Sequence, residues 1–558
     1  MRRHPEQAPH GQDVHPMIAA SPPLIIRRLA ALCVLLAASP SVGEAVALSV
    51  LQGWGEAVAT EIDSSLRVPG TNLYAETASL GGGQSGGING RSFVWPASTQ
   101  FRVLNSLLQS EPNASTTVLR QFSNELRRSY WDDGYRSGAG AGDRFYDDNA
   151  HIAVALVEAY NLTDDPVYLA RAIDTYKFVL EGEDTAAGGG IYFKQFDFSS
   201  KDAISTLQGA RSAAMLFRAT GEAAYLADAT RLLEWANSHI QLSNGLFNQG
   251  YLIAEGTPSG VEIVNSAGVG ISANLELYAA TSEAGYLSEA QRIATASLGR
   301  YFDSATGRIN DEGYWAYELV DALNDLYLTD KDPRWRTAVH GALAWLNANK
   351  QDPNTHYDLF WGRNGPIVDT LSEWNLNEQA SVARAYLDTA LTMLTGDANL
   401  DGLLTAADVR TFVSVWQSDT SGHDTLGRLR RGDFNLDGLT DVQDSYAFQE
   451  AMDEAGVEIT PAQLAAIGLL LPGDYNDDGL VDAADYSVWR DSLGGPAGSL
   501  PNDLDGGVIG QNQYSTWREN YGAAGASSAA ATRTPEPTAV ACLLTAAGLT
   551  TRRRPRAA

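Results

Sequence analysis

Cysteine is nearly absent from this 558-residue chain. The two present, Cys33 and Cys542, lie near opposite ends, so no disulfide framework can hold the body, and stability must come from a buried core or from metal. Positive charge is also scarce: 39 Lys and Arg stand against 68 Asp and Glu, a net charge of -29. Such a surface repels polyanions, which excludes nucleic acid as a partner and argues against anionic membrane. Two apolar stretches near the ends, Leu29–Ala38 and Ala539–Leu549, are each too short to cross a bilayer. The length itself exceeds one ordinary domain and implies several modules.

The first apolar stretch follows Arg27 and Arg28 and leads to Ala45-Val46-Ala47, an A-x-A cleavage signature. Residues 1–47 therefore read as an export signal, which places the mature chain outside the cytoplasm, secreted or at the cell envelope. The second stretch lies between Pro535-Glu536-Pro537 and Arg552–Arg554. It resembles the Pro-Glu-Pro sorting signals of some Gram-negative bacteria; a disordered basic tail is the competing reading of residues 526–558.

Between 48 and 395 the pattern is helical, and one phrase recurs. An apolar-periodic run ends, a short polar turn follows, and a new run opens on an aromatic: Tyr168, Tyr225, Tyr286 and Trp335, spaced 57, 61 and 49 residues apart. Those periods suit helix pairs joined by long return loops. The return loops combine glycine, aromatics and amides: Gly188–Phe193, Asn244–Gly250, Arg308–Trp315 and Tyr357–Gly365. If the pairs go round a ring, loops of one kind emerge together on one face. Flat apolar rings and amides there suit a sugar, whereas any one such loop alone reads as an ordinary turn with a core aromatic.

The stretch Arg144-Phe-Tyr-Asp147-Asp148-Asn149-Ala-His151 comes just before the apolar run Ile152–Tyr160. Asp and Asn in that place are ordinary helix caps. Yet successive helix positions point about 100° apart, so one carboxylate can cap an amphipathic helix while the other faces a cleft. Two carboxylates and an aromatic wall are the minimum equipment for breaking a glycosidic bond. A second pair, Asp132-Asp133, has no apolar helix run behind it and reads as loop or cleft wall.

With these residues in view, the body resembles the endo-α-1,6-mannanases of glycoside hydrolase family 76. The resemblance rests on Tyr146–Ala150, the Gly188–Phe193 loop with Lys201–Ser205 behind it, Phe247–Gly250 and Glu378–Ala380. It implies an all-α, (α/α)6 toroid, with Asp147 as nucleophile and Asp148 as acid/base of a retaining reaction that needs no cofactor. Tyr146, Asn149, His151, Tyr192, Phe193, Asn248, Gln249, Trp315 and Trp361 are the expected contacts to a neutral polysaccharide. Two departures bear on sugar and linkage: His151 where the family commonly has Trp, and Asp202 and Thr206 where it commonly has Asn.

After Leu394 a twelve-residue acidic loop appears three times. Its oxygen-bearing positions are Asp397, Asn399, Asp401, Thr405 and Asp408; Asp433, Asn435, Asp437, Asp441 and Asp444; Asp474, Asn476, Asp478, Asp482 and Asp485. Leu403, Leu439 and Leu480 supply the backbone carbonyl at position 7, and glycine at position 6 makes the sharp turn. These are the needs of calcium, a hard cation with a flexible oxygen shell. The loops resemble dockerin type I repeats over 396–525, with a degenerate fourth at Asn502–Gly506. Their spacings of 36 and 41 residues exceed a compact paired arrangement, which leaves a cohesin or a cell-envelope partner open. A monomer is expected.

Three other readings compete with a secreted glycosidase. An inactive sugar-binding toroid is opposed by the intact Asp pair. A lyase or unsaturated-uronide hydrolase would want a basic cleft, which the acidic body does not suggest. A purely structural envelope protein is the fourth.

Overall fold

A computed structural model describes residues 46–110, 115–362, 366–367, 369–400, 403–420, 425–434 and 438–524. All but the last two residues of the export signal, the C-terminal tail, both cysteines, and Asp401, Asn435 and Asp437 lie outside these.

Among the described residues, twelve α-helices make up the body: α1 (Leu48–Glu61), α2 (Val94–Ser110), α3 (Thr117–Tyr130), α4 (Tyr146–Thr163), α5 (Pro166–Leu180) and α6 (Ala203–Thr220). They continue as α7 (Ala223–His239), α8 (Val264–Thr281), α9 (Ala284–Tyr301), α10 (Gly313–Asp330), α11 (Pro333–Lys350) and α12 (Leu376–Ala390). The even-numbered helices touch in succession, and α12 returns to α2, closing an inner ring; the odd-numbered helices pack outside it, α1 against α12. This is the (α/α)6 toroid.

The recurrent polar phrases are the turns from inner to outer helix. Asp164, Gly221, Ser282 and Lys331 each adopt left-handed backbone at the C-terminus of an inner helix and free the chain to reverse at once. Asp165 and Asp332 then cap α5 and α11, with proline at the first helical position. The return from outer to inner helix is longer, and all such connections therefore lie at the N-terminal ends of the inner helices. Two small antiparallel sheets brace that face. One joins β1 (Thr77–Ser79) to β2 (Gln84–Ser85) and to a late strand, Glu373–Asn375; the other joins β3 (Ser200–Asp202), β4 (Gly250–Leu252) and β5 (Thr257–Ser259).

The amphipathic reading of α4 is corrected. Asn149 through Val157 are buried on every side, because the outer helix covers the flank that a two-layer protein would leave to water. Close packing extends to the seam between the first and last helices, where a Cβ on Gly55 would lie 2.6 Å from Cγ of Leu387.

Beyond Ala390 come α13 (Ala406–Val415), α14 (Thr425–Leu429), α15 (Val442–Glu454), α16 (Pro461–Ala466), α17 (Ala483–Asp491) and α18 (Gln511–Asn520). Despite their spacing the acidic repeats do pair. Phe412, Phe434 and Phe448 join the first to the second, and this cluster is continuous with the toroid core. The third pairs with the degenerate fourth through Tyr486, Trp489, Tyr514 and Trp517, around the separate core of Tyr475, Leu500 and Ile509.

Candidate active site

Asp147 and Asp148 occupy the second and third positions of α4. Neither is its cap: the N-cap is Phe145, whose side chain makes no capping bond. The helix entrance is instead held by backbone, with Tyr146 N–H donating to the Phe193 carbonyl at 2.9 Å. The capping explanation for the pair therefore fails, and both carboxylates stand at the mouth of the ring. Oδ1 of Asp147 is buried without a hydrogen-bond partner among the described residues.

Burial, then the neighbouring Asp148 and then Asp202 push the Asp147 carboxyl well above the usual carboxylate range. Burial pushes Asp148 up to about 7, with His151 pulling slightly the other way. Both carboxyls are thus raised, and the two titrate together as a pair that shares a proton.

Asp202 is the residue that sequence reasoning passed over as a member of the site. It closes β3 and caps α6, accepting from Ser205 N at 2.7 Å and Ser205 Oγ at 2.9 Å. It is half-buried, and burial raises its carboxyl too. The Asp-x-x-Ser pattern announced the cap but not its position beside Asp147. Glu378, in the first turn of α12 at the same end of the ring, is likewise raised by burial, to about 7.

Of the nine expected contact residues, the structure leaves Phe193 and Gln249 exposed, and Trp315 half-buried against Tyr314. The others do structural work. Tyr146 stacks on Phe178 at 5.0 Å. Asn149 is wholly buried and ties down the loop before α4, accepting from Tyr135 N at 2.7 Å and donating to the carbonyls of Tyr135 and Phe145. Tyr192 donates to Asp184 at 2.9 Å beneath the Lys201 ammonium. Asn248 donates to the Ile240 carbonyl at 3.2 Å, and Trp361 is buried under Gly313. Asp132 is a loop residue paired with Arg136, and Asp133 turns with positive φ.

His151 points inward, its Nδ1 lying 3.2 Å from Gln208 Nε2 and 3.3 Å from Glu318 Oε1. It opens a charged network along the ring axis. Arg102 binds Glu158 at 2.8 Å and Asp321 at 2.9 Å, and Arg384 binds Asp321 at 3.0 Å and Asp388 at 2.8 Å. Burial opposes ionisation of Glu158, but Arg102 and Arg384 hold it down to about 2. The depression lined by Arg120, Thr163 and Arg171 lies at the far end of α4 and is not part of this site.

The acidic repeats carry the right donors for a hard cation. In the third, Asp474 accepts from Asp478 N and Gly479 N at 3.1 and 2.8 Å, and Asp485 accepts from Asn476 N and Asp482 N at 3.0 and 2.7 Å. Burial raises the Asp474 carboxyl, backbone bonds from Gly479 and Asp478 oppose it, and Asp485 and Asp478 add to the rise. In the first, Asp397 and Asp408 are buried, and Asp408 accepts from Asn399 N and Thr405 N. In the second, Asp444 accepts from Phe434 N and Asp441 N, but the Arg428 guanidinium lies 2.7 Å from Asp433 and already answers its charge. Asp441 and Asp482 cap the helices that follow, and Leu403, Leu439 and Leu480 are exposed. Among the described residues no group of three or more His, Cys, Asp and Glu side chains is gathered to metal-holding distance.

A comparison with curated proteins finds no match. Among solved structures, the chain is similar to a GH76 α-mannanase from Bacteroides thetaiotaomicron, with 27% identity over 61% of this chain and 95% of that one, at a TM-score of 0.56. It is also similar to an inactive variant of an α-1,6-mannanase from Salegentibacter sp. HEL1_6 in complex with α-1,6-mannotriose, with 18% identity over 62% of this chain and 100% of that one, at a TM-score of 0.52. At that identity the likeness is one of fold alone. The model of Glycosyl hydrolase family 76 matches residues 69–325, a span that runs from the loop after α1 into α10 and holds Asp147, Asp148 and Asp202. Over that stretch the toroid is similar to the glycosyl hydrolase family 76 domain.

Proposed function

We propose that the protein is an exported, endo-acting hydrolase of α-1,6-linked mannan that works with retention through Asp147 and Asp148. The observation that carries the reading is the state of the pair: adjacent, uncapping, in no ion pair with Lys or Arg among the described residues, and raised above the usual carboxylate range. A carboxylate attacks the anomeric carbon while its protonated neighbour gives its proton to the leaving oxygen, and an ester to the enzyme forms. The neighbour then takes a proton from water, whose oxygen attacks the same carbon and frees the first carboxylate. Retention requires the two groups about 5 Å apart, a spacing within reach of adjacent residues, which can also splay to the roughly 6.5–9.5 Å of an inverting pair; retention is taken from the family resemblance. The Bacteroides likeness supports mannan as the substrate class, and the Salegentibacter enzyme was inactivated by changing two adjacent aspartates to asparagine.

Asp147 is assigned as nucleophile and Asp148 as acid/base. Product sizing after incubation with a panel of neutral polysaccharides, linear α-1,6-mannan included, tests the activity. Shortened α-1,6-mannan chains are expected, and an unaltered size profile across the panel overturns the reading.

The oxygen-bearing positions of the third repeat, Asp474, Asn476, Asp478, Asp482 and Asp485 in one twelve-residue loop, support calcium as the ligand of the C-terminal module, for structure rather than catalysis. The fit is best in the first and third repeats, since Arg428 competes in the second. Calorimetry with and without chelator is expected to lower a transition of this module and spare the toroid.

A further inference from the structure

The segment between Tyr192 and β3 holds three phenylalanines in six residues, and all are exposed: Phe193 by 44%, Phe196 by 78% and Phe198 by 62%. Both feet of this loop stand beside the Asp pair. The Phe193 carbonyl receives the N–H of Tyr146, immediately before Asp147, and the other end enters β3 and closes on Asp202. Between the feet the loop is built firmly. Gln195 N–H donates to the Arg144 carbonyl at 3.0 Å, and Arg144 Nε donates back to Gln195 Oε1 at 2.9 Å. Lys194 pairs with Asp143 at 2.6 Å, and Ile253 N–H donates to the Ser199 carbonyl at 3.0 Å.

At its tip, Asp197 N–H donates to the Lys194 carbonyl at 3.1 Å, which makes Gln195 and Phe196 the central residues of a four-residue turn. Phe196 has φ +67. That is the place of a turn where glycine or asparagine fits, and a bulky side chain is strained there. The ring is not compensated by burial either, since it stands in water. A strained backbone carrying an exposed aromatic contributes nothing to folding, and such strain concentrates where a ligand is held. Phe198 is propped from behind by the edge of Tyr192 at 5.2 Å, and Phe193 by Phe145 at 5.1 Å. The nearby cations are taken: Lys194 by Asp143, Arg144 by Gln195 and Asp132.

We propose that Phe196 and Phe198 form an aromatic platform beside the Asp pair that stacks on the apolar ring face of one sugar unit of a neutral polysaccharide chain. The occupant follows from continuity with the candidate cleft and from the commitment of the loop's cations, while the exposed Asp197 carboxylate, which accepts from Ser199 N and Oγ, disfavours an anionic chain. The proposal rests on the glycosidase reading and deepens it, because it gives the cleft a binding position away from the bond that breaks.

Phe196→Gly tests it, since glycine accepts the turn without strain. Its melting temperature is expected at or above that of the wild type, by up to about 1–2 °C. The KM for linear α-1,6-mannan is expected to rise about tenfold, equivalent to about 1.4 kcal/mol. Turnover of an aryl mannoside with an activated leaving group, too small to reach the platform, is expected to stay unchanged. Phe198→Ala gives a second reading of the same kind, and retardation of each protein in a mannan-containing gel reports binding without turnover. Unchanged KM and retardation in both variants, with an active wild type, overturn the platform and leave the glycosidase reading standing. A lower melting temperature with equal losses on both substrates makes Phe196 a structural residue and overturns the proposal. A wild type that is retarded but cleaves nothing, beside a Phe196→Gly protein that is not retarded, upholds the platform and sinks the hydrolase. A wild type that is not retarded overturns the platform.

Discussion

Helix α4 carries acidic residues in two settings, and the contrast between them separates chemistry from architecture. At its mouth Asp147 and Asp148 have each other and Asp202 for company, and burial raises them. About three turns deeper, Glu158 meets Arg102 and Arg384 and is held down to about 2. Both places are half-buried. The difference lies in the partner: a paired buried charge fixes geometry, whereas an unpaired one stays ready to exchange a proton.

The sharpest way to break the comparison is to neutralise the mouth. Asp147→Asn is expected to lower kcat by about 10⁴-fold or more on every substrate, as loss of a nucleophile does. Asp148→Asn is expected to cost about 10²- to 10⁴-fold on polysaccharide. It should glycosylate normally from an activated aryl glycoside, with azide restoring deglycosylation. If the two phenotypes appear with residues exchanged, the roles are reversed; near-normal hydrolysis by both, with intact circular dichroism, removes the pair from catalysis.

Next in size comes the axis. Arg102→Ala strips Glu158 and Asp321 of a shared partner, and leaving a buried charge uncompensated costs about 3–5 kcal/mol. Denaturant unfolding checks this, and a loss below about 1 kcal/mol would mean that the network is no more than an exposed ion pair in effect.

The smallest effect has opposite signs at the two ends of the contrast. A raised carboxyl such as Asp148 adds stability below its unfolded value of about 4, and that stability fades as pH rises through about 7. A lowered one such as Glu158 adds stability above about 4 that is lost as pH falls through about 2. Asp148→Asn should therefore be more stable than the wild type by about 1–2 kcal/mol at pH 8, with the gap closing toward pH 4. Thermal melts across that range measure it, and a constant difference would show that burial at the mouth does not govern the pair.

The toroid was legible because its signals are local. A left-handed cap, then Asp-Pro or an equivalent polar step, then an aromatic, repeats at the foot of α4, α6, α8 and α10, and periodicity fills in the rest. The Asp pair was legible through its neighbours. The aromatic loops were read too generously: Tyr192 and Trp361 look like sugar platforms in sequence, yet the fold turns them inward because the return loops need cores of their own. The burial of α4 on all sides was not legible, since it depends on a second layer of helices contributed elsewhere in the chain. Nor was the charged axis: Arg102 and Arg384 sit as lone cations in otherwise apolar helical stretches, and only ring closure brings them within reach of Asp321.

The seam of the ring also constrains how the protein comes to be. Because α1 packs on α12, the first helix of the toroid waits for a partner that is synthesised more than three hundred residues later. Helical proteins usually fold quickly because their contacts are near in sequence, and this one must close its longest loop last. Until then the inner faces of α1 and α2 are open to solvent, and Gly55 must admit Leu387 with almost no clearance. Aggregation during refolding should therefore be governed by this joint, and a larger side chain at Gly55 should trap the chain as an open, sticky spiral.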